Sequence, residues 1–171
     1  MDIARYFLAE TLPEPLTPAS EHLQIFDNYI PETNLRLRTI RNPKTRQWRY
    51  FLQKRILESP NSLSKICLDE IELSQKEYEK FSQFEGREIR KNRYFFQLGD
   101  LECLIVVYLG KLWGINRVKI PLFSEDELGS FWQPEFTVLE ITHDVFFAEE
   151  NLVDLSFAEV ALHLEKAAAT S

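Results

Sequence analysis

Residues 34–39 read Asn-Leu-Arg-Leu-Arg-Thr, and residues 89–96 read Ile-Arg-Lys-Asn-Arg-Tyr-Phe-Phe. Each stretch places two cations at positions i and i+2. These cations are Arg36, Arg38, Lys91 and Arg93. Because the side chains of a β-strand alternate between its two faces, each pair points to the same side of a sheet. Two interpretations follow. Either the cations face water and the leucines face the core, or a closed antiparallel sheet surrounds a cationic cavity and helices cover its outside.

Strand-like segments, rich in β-branched, aromatic and alternating residues, recur along the chain. They lie near residues 2–8, 34–41, 47–57, 66–73, 90–98, 101–109, 115–123 and 136–142. Capping boxes, in which a serine is followed three residues later by a glutamate, predict helices that begin after Ser74, Ser124 and Ser156. The pattern predicts an α+β fold, an eight-stranded antiparallel β-barrel or tunnel with a few flanking helices.

Length and charge restrict the classes of function that remain. The 171 residues fit a single domain, residues 1–171, with a C-terminal docking helix near 156–168. The net charge of −7 argues against nucleic acid as a partner, since nucleic-acid-binding domains are normally basic. No apolar run approaches the ~20 residues of a membrane span, and the first residues do not resemble a signal peptide. We therefore expect a cytoplasmic protein with neither nucleic acid nor a membrane as partner.

The common catalytic signatures are missing from the sequence. The three histidines are scattered without the spacing of metal ligands, and there is no Walker A, GxGxxG or GxSxG motif. A phosphorylated anion handled by basic residues inside the barrel remains plausible, because Arg offers a planar fork and Lys a point charge to phosphate. Hydrolysis of a triphosphate would also need carboxylates that hold Mg²⁺.

The order of these segments resembles the CYTH family, the triphosphate tunnel proteins that include class IV adenylate cyclases, thiamine triphosphatases and inorganic triphosphatases. The resemblance covers roughly residues 1–154 and is strongest in the second half. The motifs that carry it are Asp27-x-Tyr29-Ile30 leading into Arg36-x-Arg38, Ile89-Arg90-Lys91-Asn92-Arg93-Tyr94, Val107-Tyr108-Leu109-Gly110 followed by Gly114-Ile115, Ser124-Glu125-Asp126-Glu127, Pro134-Glu135-Phe136 and Glu140-Ile141-Thr142-x-Asp144. The resemblance implies an eight-stranded antiparallel tunnel whose basic residues face phosphate.

Three carboxylate motifs of the family are wholly or mostly absent. The N-terminal Glu-x-Glu-x-Lys of the family corresponds to residues 2–6, Asp-Ile-Ala-Arg-Tyr, where only the first acid is kept. A Glu-x-Asp pair corresponds to Leu104 and Val106, and a later Glu-x-Glu pair corresponds to Lys119 and Pro121. The resemblance therefore implies a degenerate member, which keeps phosphate-facing cations and lacks most of the carboxylates that hold metal.

The predicted anion site consists of the cations at inward positions. These are Arg36, Arg38, Lys54, Lys91, Arg93, Arg117 and Lys119. The candidate tunnel carboxylates are Asp2, Glu70 and Glu102. A shift of one residue in the strand around Lys54 would turn Gln53 and Arg55 inward instead. Like charges at ~6 Å repel by roughly 2–3 kcal/mol at an effective dielectric near 20, so carboxylates, water or a bound polyanion must compensate the cluster.

Three functions follow from these residues. The favoured one is a non-catalytic tunnel that binds a phosphorylated small-molecule anion, such as a triphosphate or polyphosphate, without a metal or any other cofactor. The second is a metal-dependent hydrolase of inorganic or organic triphosphates that gathers Mg²⁺ with Glu72 or the candidate tunnel carboxylates. The third is a structural or partner-binding protein with a salt-bridged, ligand-free barrel and an outer surface bearing Trp113, Phe131 and Trp132.

Overall fold

The fold is built from nine antiparallel strands and three α-helices in the computed structural model, which describes residues 1–84, 86–130 and 132–170. The strands are β1 (Asp2–Ala9), β2 (His22–Tyr29), β3 (Leu35–Arg41), β4 (Trp48–Ser59), β5 (Ser62–Leu73), β6 (Arg87–Leu98), β7 (Leu101–Tyr108), β8 (Asn116–Pro121) and β9 (Leu139–Glu140). The helices are α1 (Gln75–Phe81), α2 (Glu149–Leu152) and α3 (Phe157–Ala169).

Eight of these strands close into a barrel. The order around it is β1, β8, β7, β6, β2, β3, β4 and β5, and β5 pairs back onto β1 through Asp2 with Ile66 and Ile3 with Lys65. β9 adds to β1 beyond that closing pair. The predicted α+β tunnel of eight antiparallel strands is therefore confirmed.

One of the eight strands that form the barrel differs from the prediction. The sequence prediction misses β2, and the segment 136–142 supplies only the two residues of β9. β2 reads His-Leu-Gln-Ile-Phe-Asp-Asn-Tyr, with Leu23, Ile25, Asp27 and Tyr29 on one face. Because a carboxylate interrupts that apolar face, the usual alternation of a half-buried strand is weak here.

Two of the three capping boxes begin α-helices. Ser74 caps α1 through reciprocal hydrogen bonds with Glu77, and the Ser156 N–H donates to the Glu159 carboxylate at the start of α3. Ser124 precedes only a short 3-10 helix, because its side chain makes no capping hydrogen bond and Glu127 accepts from the Phe123 N–H instead. α3 docks through the buried Val160, while Phe157 at its first position stays half exposed.

Apolar packing lies outside the barrel and at one of its ends. One cluster covers the outer face of β1, β7 and β8, with Phe7, Ile105 and Val118 at its centre. The other joins the end of the barrel to α2 and α3 through Leu152 and Val160, among others. The interior of the barrel holds most of the buried polar and charged side chains, together with some apolar ones. Within the described residues, no helix is long and apolar enough to cross a membrane.

Candidate functional site: a basic tunnel

A cavity of about 330 Å³ lies inside the barrel. Its basic lining residues are Arg36, Arg38, Arg49, Arg55, Lys91, Arg93, Arg117 and Lys119. Its acidic lining residues are Asp2, Glu70 and Glu149. We call the exposed end of the cavity, where Arg49, Leu68 and Glu70 lie, the mouth. The interior is therefore strongly basic although the whole chain carries a net charge of −7.

The structure places six of the seven predicted cations in this cavity, and Lys54 is the exception. Lys54 is exposed on the outer face of β4, where it lies opposite Leu35 of β3 and Asp69 of β5. Gln53 and Arg55 line the cavity instead. The inward placement of Lys54 is therefore wrong by one residue, which is enough to exchange the two faces of a strand.

Two of the three predicted tunnel carboxylates line the cavity. Asp2 and Glu70 do so, whereas Glu102 is exposed and lies in a separate surface cleft beside Phe123. Glu102 shares the face of Leu104 and Val106, but it is the second residue of β7 and lies beyond the end of the cavity. The prediction that Glu102 is a tunnel carboxylate is wrong for this reason.

The innermost end of the cavity, which we call the floor, is organised around the Glu149 carboxylate. Glu149 is the first residue of α2 and is only 1% exposed. Its carboxylate accepts hydrogen bonds from Tyr29 Oη at 2.9 Å, Tyr108 Oη at 2.9 Å, Arg117 Nη2 at 2.9 Å and Arg36 Nη1 at 3.0 Å. The Lys91 ammonium donates to the same carboxylate. Five donors thus converge on one side chain.

Asp27 of β2 is the second carboxylate of the floor and is fully buried. Arg38 donates to it through Nε at 2.6 Å and Nη2 at 2.7 Å, the bidentate geometry that suits a planar guanidinium. Lys91 Nζ lies 3.0 Å from Asp27 Oδ2, and Arg36 Nη1 lies 3.5 Å from it. Lys91 and Arg36 therefore bridge the two buried carboxylates.

The charges of the floor hold both carboxyl groups in their ionised form. Burial alone would raise the pKa of Asp27, but Arg36, Arg38 and Lys91 outweigh it and hold that pKa well below its usual range. Burial opposes ionisation of Glu149 in the same way, and Lys91, Arg117 and Arg36 again lower the pKa of that carboxyl. In contrast, burial lowers the pKa of the Lys91 ammonium to about 7, despite the raising effect of its two carboxylate partners.

Asp27 and Glu149, the two floor carboxylates, are not identified from the sequence as partners of the cations. Asp27 lies opposite Arg38 in the pairing of β2 with β3, so recognition of β2 would have revealed the pair. Glu149 comes from a segment distant in sequence, and its neighbours give no sign that it points into the barrel. Its position follows from packing, because Ala148, Leu152 and Val153 are buried against the barrel end and turn Glu149 inward.

The upper wall of the tunnel carries a second set of ion pairs. Arg55 pairs with Glu150, Lys119 pairs with Asp2, and Arg49 pairs with Glu72 at 2.9 Å. Glu70 accepts a hydrogen bond from the Gln53 side-chain amide, which in turn accepts from Arg36 Nε at 2.6 Å. Each of these three wall cations therefore has one carboxylate of its own.

Arg93 differs from the other cations of the tunnel. Its guanidinium lines the cavity, and no carboxylate of the described residues lies within ion-pair distance of it. Its Nε is buried without a hydrogen-bond partner in the described part of the chain. Burial lowers the pKa of Arg93 to about 10, and the neighbouring charge of Arg38 adds to this effect. Arg93 is therefore a half-buried cation that has no ion-pair partner among the described residues.

The residues of the tunnel do not fit the metal site that the fold family implies. Leu104 and Val106 line the cavity where the resemblance would place carboxylates, and Lys119 lies inward as a cation. Of the acids at the mouth, Asp2 is bound to Lys119. Within residues 1–84, 86–130 and 132–170, no three His, Cys, Asp or Glu side chains stand close enough to hold a metal ion. We therefore derive no chemical step through a metal.

Comparison with solved structures identifies the architecture. The structure of the inorganic triphosphatase NE1496 is similar, with a TM-score of 0.61, 24% sequence identity, and coverage of 90% of this chain and 94% of that chain. The chain has the CYTH-like triphosphate tunnel fold. A conserved hypothetical protein from Pyrococcus furiosus is also similar, with a TM-score of 0.51, 16% identity, and coverage of 76% of this chain and 85% of that chain. No protein-family model matches the chain. No curated protein matches it either.

The outer surface carries exposed aromatic side chains, which the third function would require. Trp113 and Trp132 are largely exposed, as expected for a surface, and Phe131 lies outside the described residues. The floor of the tunnel is salt-bridged, as that hypothesis expects. The upper wall is salt-bridged as well, except at Arg93, which has no ion-pair partner among the described residues.

Proposed function

We propose that this tunnel protein binds a phosphorylated small-molecule anion in its basic interior without a metal ion. The observation that carries the proposal is Arg93, a cation that faces the cavity with its Nε buried and unpartnered within the described residues. A cation that is partly withdrawn from water and has no ion-pair partner carries a desolvation cost, and a bound phosphate would offset that cost. Arginine also suits phosphate because its planar donors match two oxygens at once.

The charge of the floor supports the same proposal. Four cations, Arg36, Arg38, Lys91 and Arg117, share the two carboxylates of Asp27 and Glu149. The positive charge of these four side chains is therefore only partly neutralised. An anion that enters from the mouth would reach Arg93 and the upper side of this excess of positive charge.

Titration calorimetry with tripolyphosphate in the presence of EDTA tests the proposal. The wild-type protein should bind one anion, and Arg93→Met should weaken binding by roughly 1.5–3 kcal/mol, the range for a hydrogen bond to a charged group. Arg90→Met is the matched control, because Arg90 lies on the same strand but is exposed outside the tunnel. The control should bind as tightly as the wild type. Absence of binding, or equal losses in the two variants, contradicts the proposal.

A metal-dependent triphosphate hydrolase is the second candidate. Two observations favour it: the similarity to the inorganic triphosphatase NE1496, and the presence of Asp2 and Glu70 at the cavity lining. Release of phosphate from tripolyphosphate, measured with MgCl₂ and again with EDTA, tests this candidate. We expect no metal-dependent release. Release that needs Mg²⁺ and is lost in Asp2→Asn would establish the hydrolase.

A further inference from the structure

Six apolar side chains line the tunnel above its floor, among the ion pairs of the upper wall. They are Ile40, Phe51, Ile66, Leu68, Leu104 and Val106, from four different strands. Leu68 is 44% exposed although it lines the cavity, whereas the floor cations Arg36 and Lys91 are almost fully buried. The tunnel therefore has a cationic inner part and an outer part in which apolar side chains stand beside paired charges. Tripolyphosphate, which is charged along its whole length, would leave those apolar side chains without a partner.

The fixed charge of the tunnel matches a small anion. The floor has four cations for two carboxylates, and Arg93 adds one further positive charge. Glu70 removes one, since its hydrogen-bond partner Gln53 is neutral. The other wall cations are paired one to one with carboxylates. Between one and two positive charges remain at pH 7, where Lys91 is only partly protonated, and a phosphate monoester carries about −1.5 to −2 at that pH.

We infer that the tunnel binds a phosphate monoester whose substituent is a small apolar alkyl or aryl group. The phosphate lies between Arg93 and the floor, and the apolar group contacts Leu68 and Leu104 on its way to the mouth. This inference rests on the proposed function and narrows its ligand class. The cavity of about 330 Å³ is at the lower end of the range of roughly 300–1,000 Å³ for ligand sites, so the substituent is small.

Calorimetry in EDTA with inorganic phosphate, n-hexyl phosphate and tripolyphosphate tests the inference. Each fully buried methylene contributes ~0.8 kcal/mol, which corresponds to a roughly fourfold gain in affinity. Hexyl phosphate should therefore bind at least about tenfold more tightly than inorganic phosphate if only two methylenes are buried.

Two matched variants locate the apolar contact. Leu68→Ser should reduce the ratio of hexyl phosphate affinity to phosphate affinity several-fold and leave inorganic phosphate binding unchanged. Ile56→Ser is the control, because Ile56 is 42% exposed on the neighbouring strand and lies outside the cavity. The control should keep the wild-type ratio. Both positions are exposed, so both variants should fold.

The outcomes separate this inference from the function on which it rests. If tripolyphosphate binds in an Arg93-dependent manner but hexyl phosphate binds no better than phosphate, the apolar inference is overturned and the proposed function stands. If the ratio of hexyl phosphate affinity to phosphate affinity is the same in Leu68→Ser and Ile56→Ser, the inference is also overturned. If none of the three anions binds, both proposals fail.

Discussion

Replacement of two arginines of the same tunnel by methionine should have opposite consequences for the stability of the unliganded protein. Arg36→Met keeps the apolar stem but removes the donors to Gln53, Tyr29 and Glu149. Lys91 and Arg117 still compensate Glu149, so the cost is that of lost hydrogen bonds to a charged group, roughly 1.5–3 kcal/mol. Arg93→Met removes a charge that has no carboxylate partner in the described residues. It should change stability by less than about 1 kcal/mol, or stabilise the protein, because it relieves repulsion with Arg38.

Urea unfolding, followed by circular dichroism in a buffer that contains EDTA and no phosphate or sulfate, measures both changes. A loss of about 1.5–3 kcal/mol is a substantial part of the ~5–15 kcal/mol that stabilises a typical domain. Arg36→Lys therefore accompanies the test, since it keeps the charge and should cost less than Arg36→Met. The reasoning is refuted if Arg93→Met destabilises as much as Arg36→Met, or if Arg36→Met costs less than about 1 kcal/mol.

Three further predictions concern the floor and the metal. Because the pKa of Lys91 is lowered to about 7 in the folded protein, the unfolded chain binds more protons above that pH. The free energy of unfolding of the wild type, relative to that of Lys91→Met, should therefore rise from pH 7 to pH 9 by up to about 1.4 kcal/mol per pH unit. Urea unfolding that shows the same difference at every pH contradicts this prediction. Glu149→Gln removes a floor carboxylate, so it should lower the melting temperature without phosphate and enlarge the increase that tripolyphosphate produces. If tripolyphosphate raises the melting temperature of Glu149→Gln no more than that of the wild type, the charge balance described above is contradicted. Mg²⁺ should bind no better than to an ordinary acidic surface, since Leu104, Val106 and Lys119 replace carboxylates; a stoichiometric micromolar site in calorimetry would disprove this.

The basic tunnel could be predicted from the sequence because the residues that indicate it are close together in the chain. The spacing of Arg36 with Arg38 and of Lys91 with Arg93 fixes which side chains share a face, and the face then follows from closure of the sheet. Lys54 shows that this inference depends on the exact register of the strand. One residue of register exchanges the inner and outer face of β4, and no local feature of that strand decides between the two.

The compensation of the cations could not be predicted in the same way. It depends on Asp27, whose strand has a carboxylate in the middle of its apolar face, and on Glu149, which is brought into the barrel by the packing of residues around α2. Glu149 is 113 residues away from Arg36 in sequence. Partners at that separation are set by tertiary packing rather than by periodicity, so the balance of charge inside the tunnel required the structure.

A crystal structure of the protein grown with both tripolyphosphate and MgCl₂ would show whether the tunnel holds a phosphorylated anion without a metal. We expect phosphate oxygens within hydrogen-bond distance of Arg93 and Arg38, and no metal ion on Asp2 or Glu70. A metal ion held between those carboxylates and the phosphates, or a tunnel filled only by its own side chains, would contradict the claim.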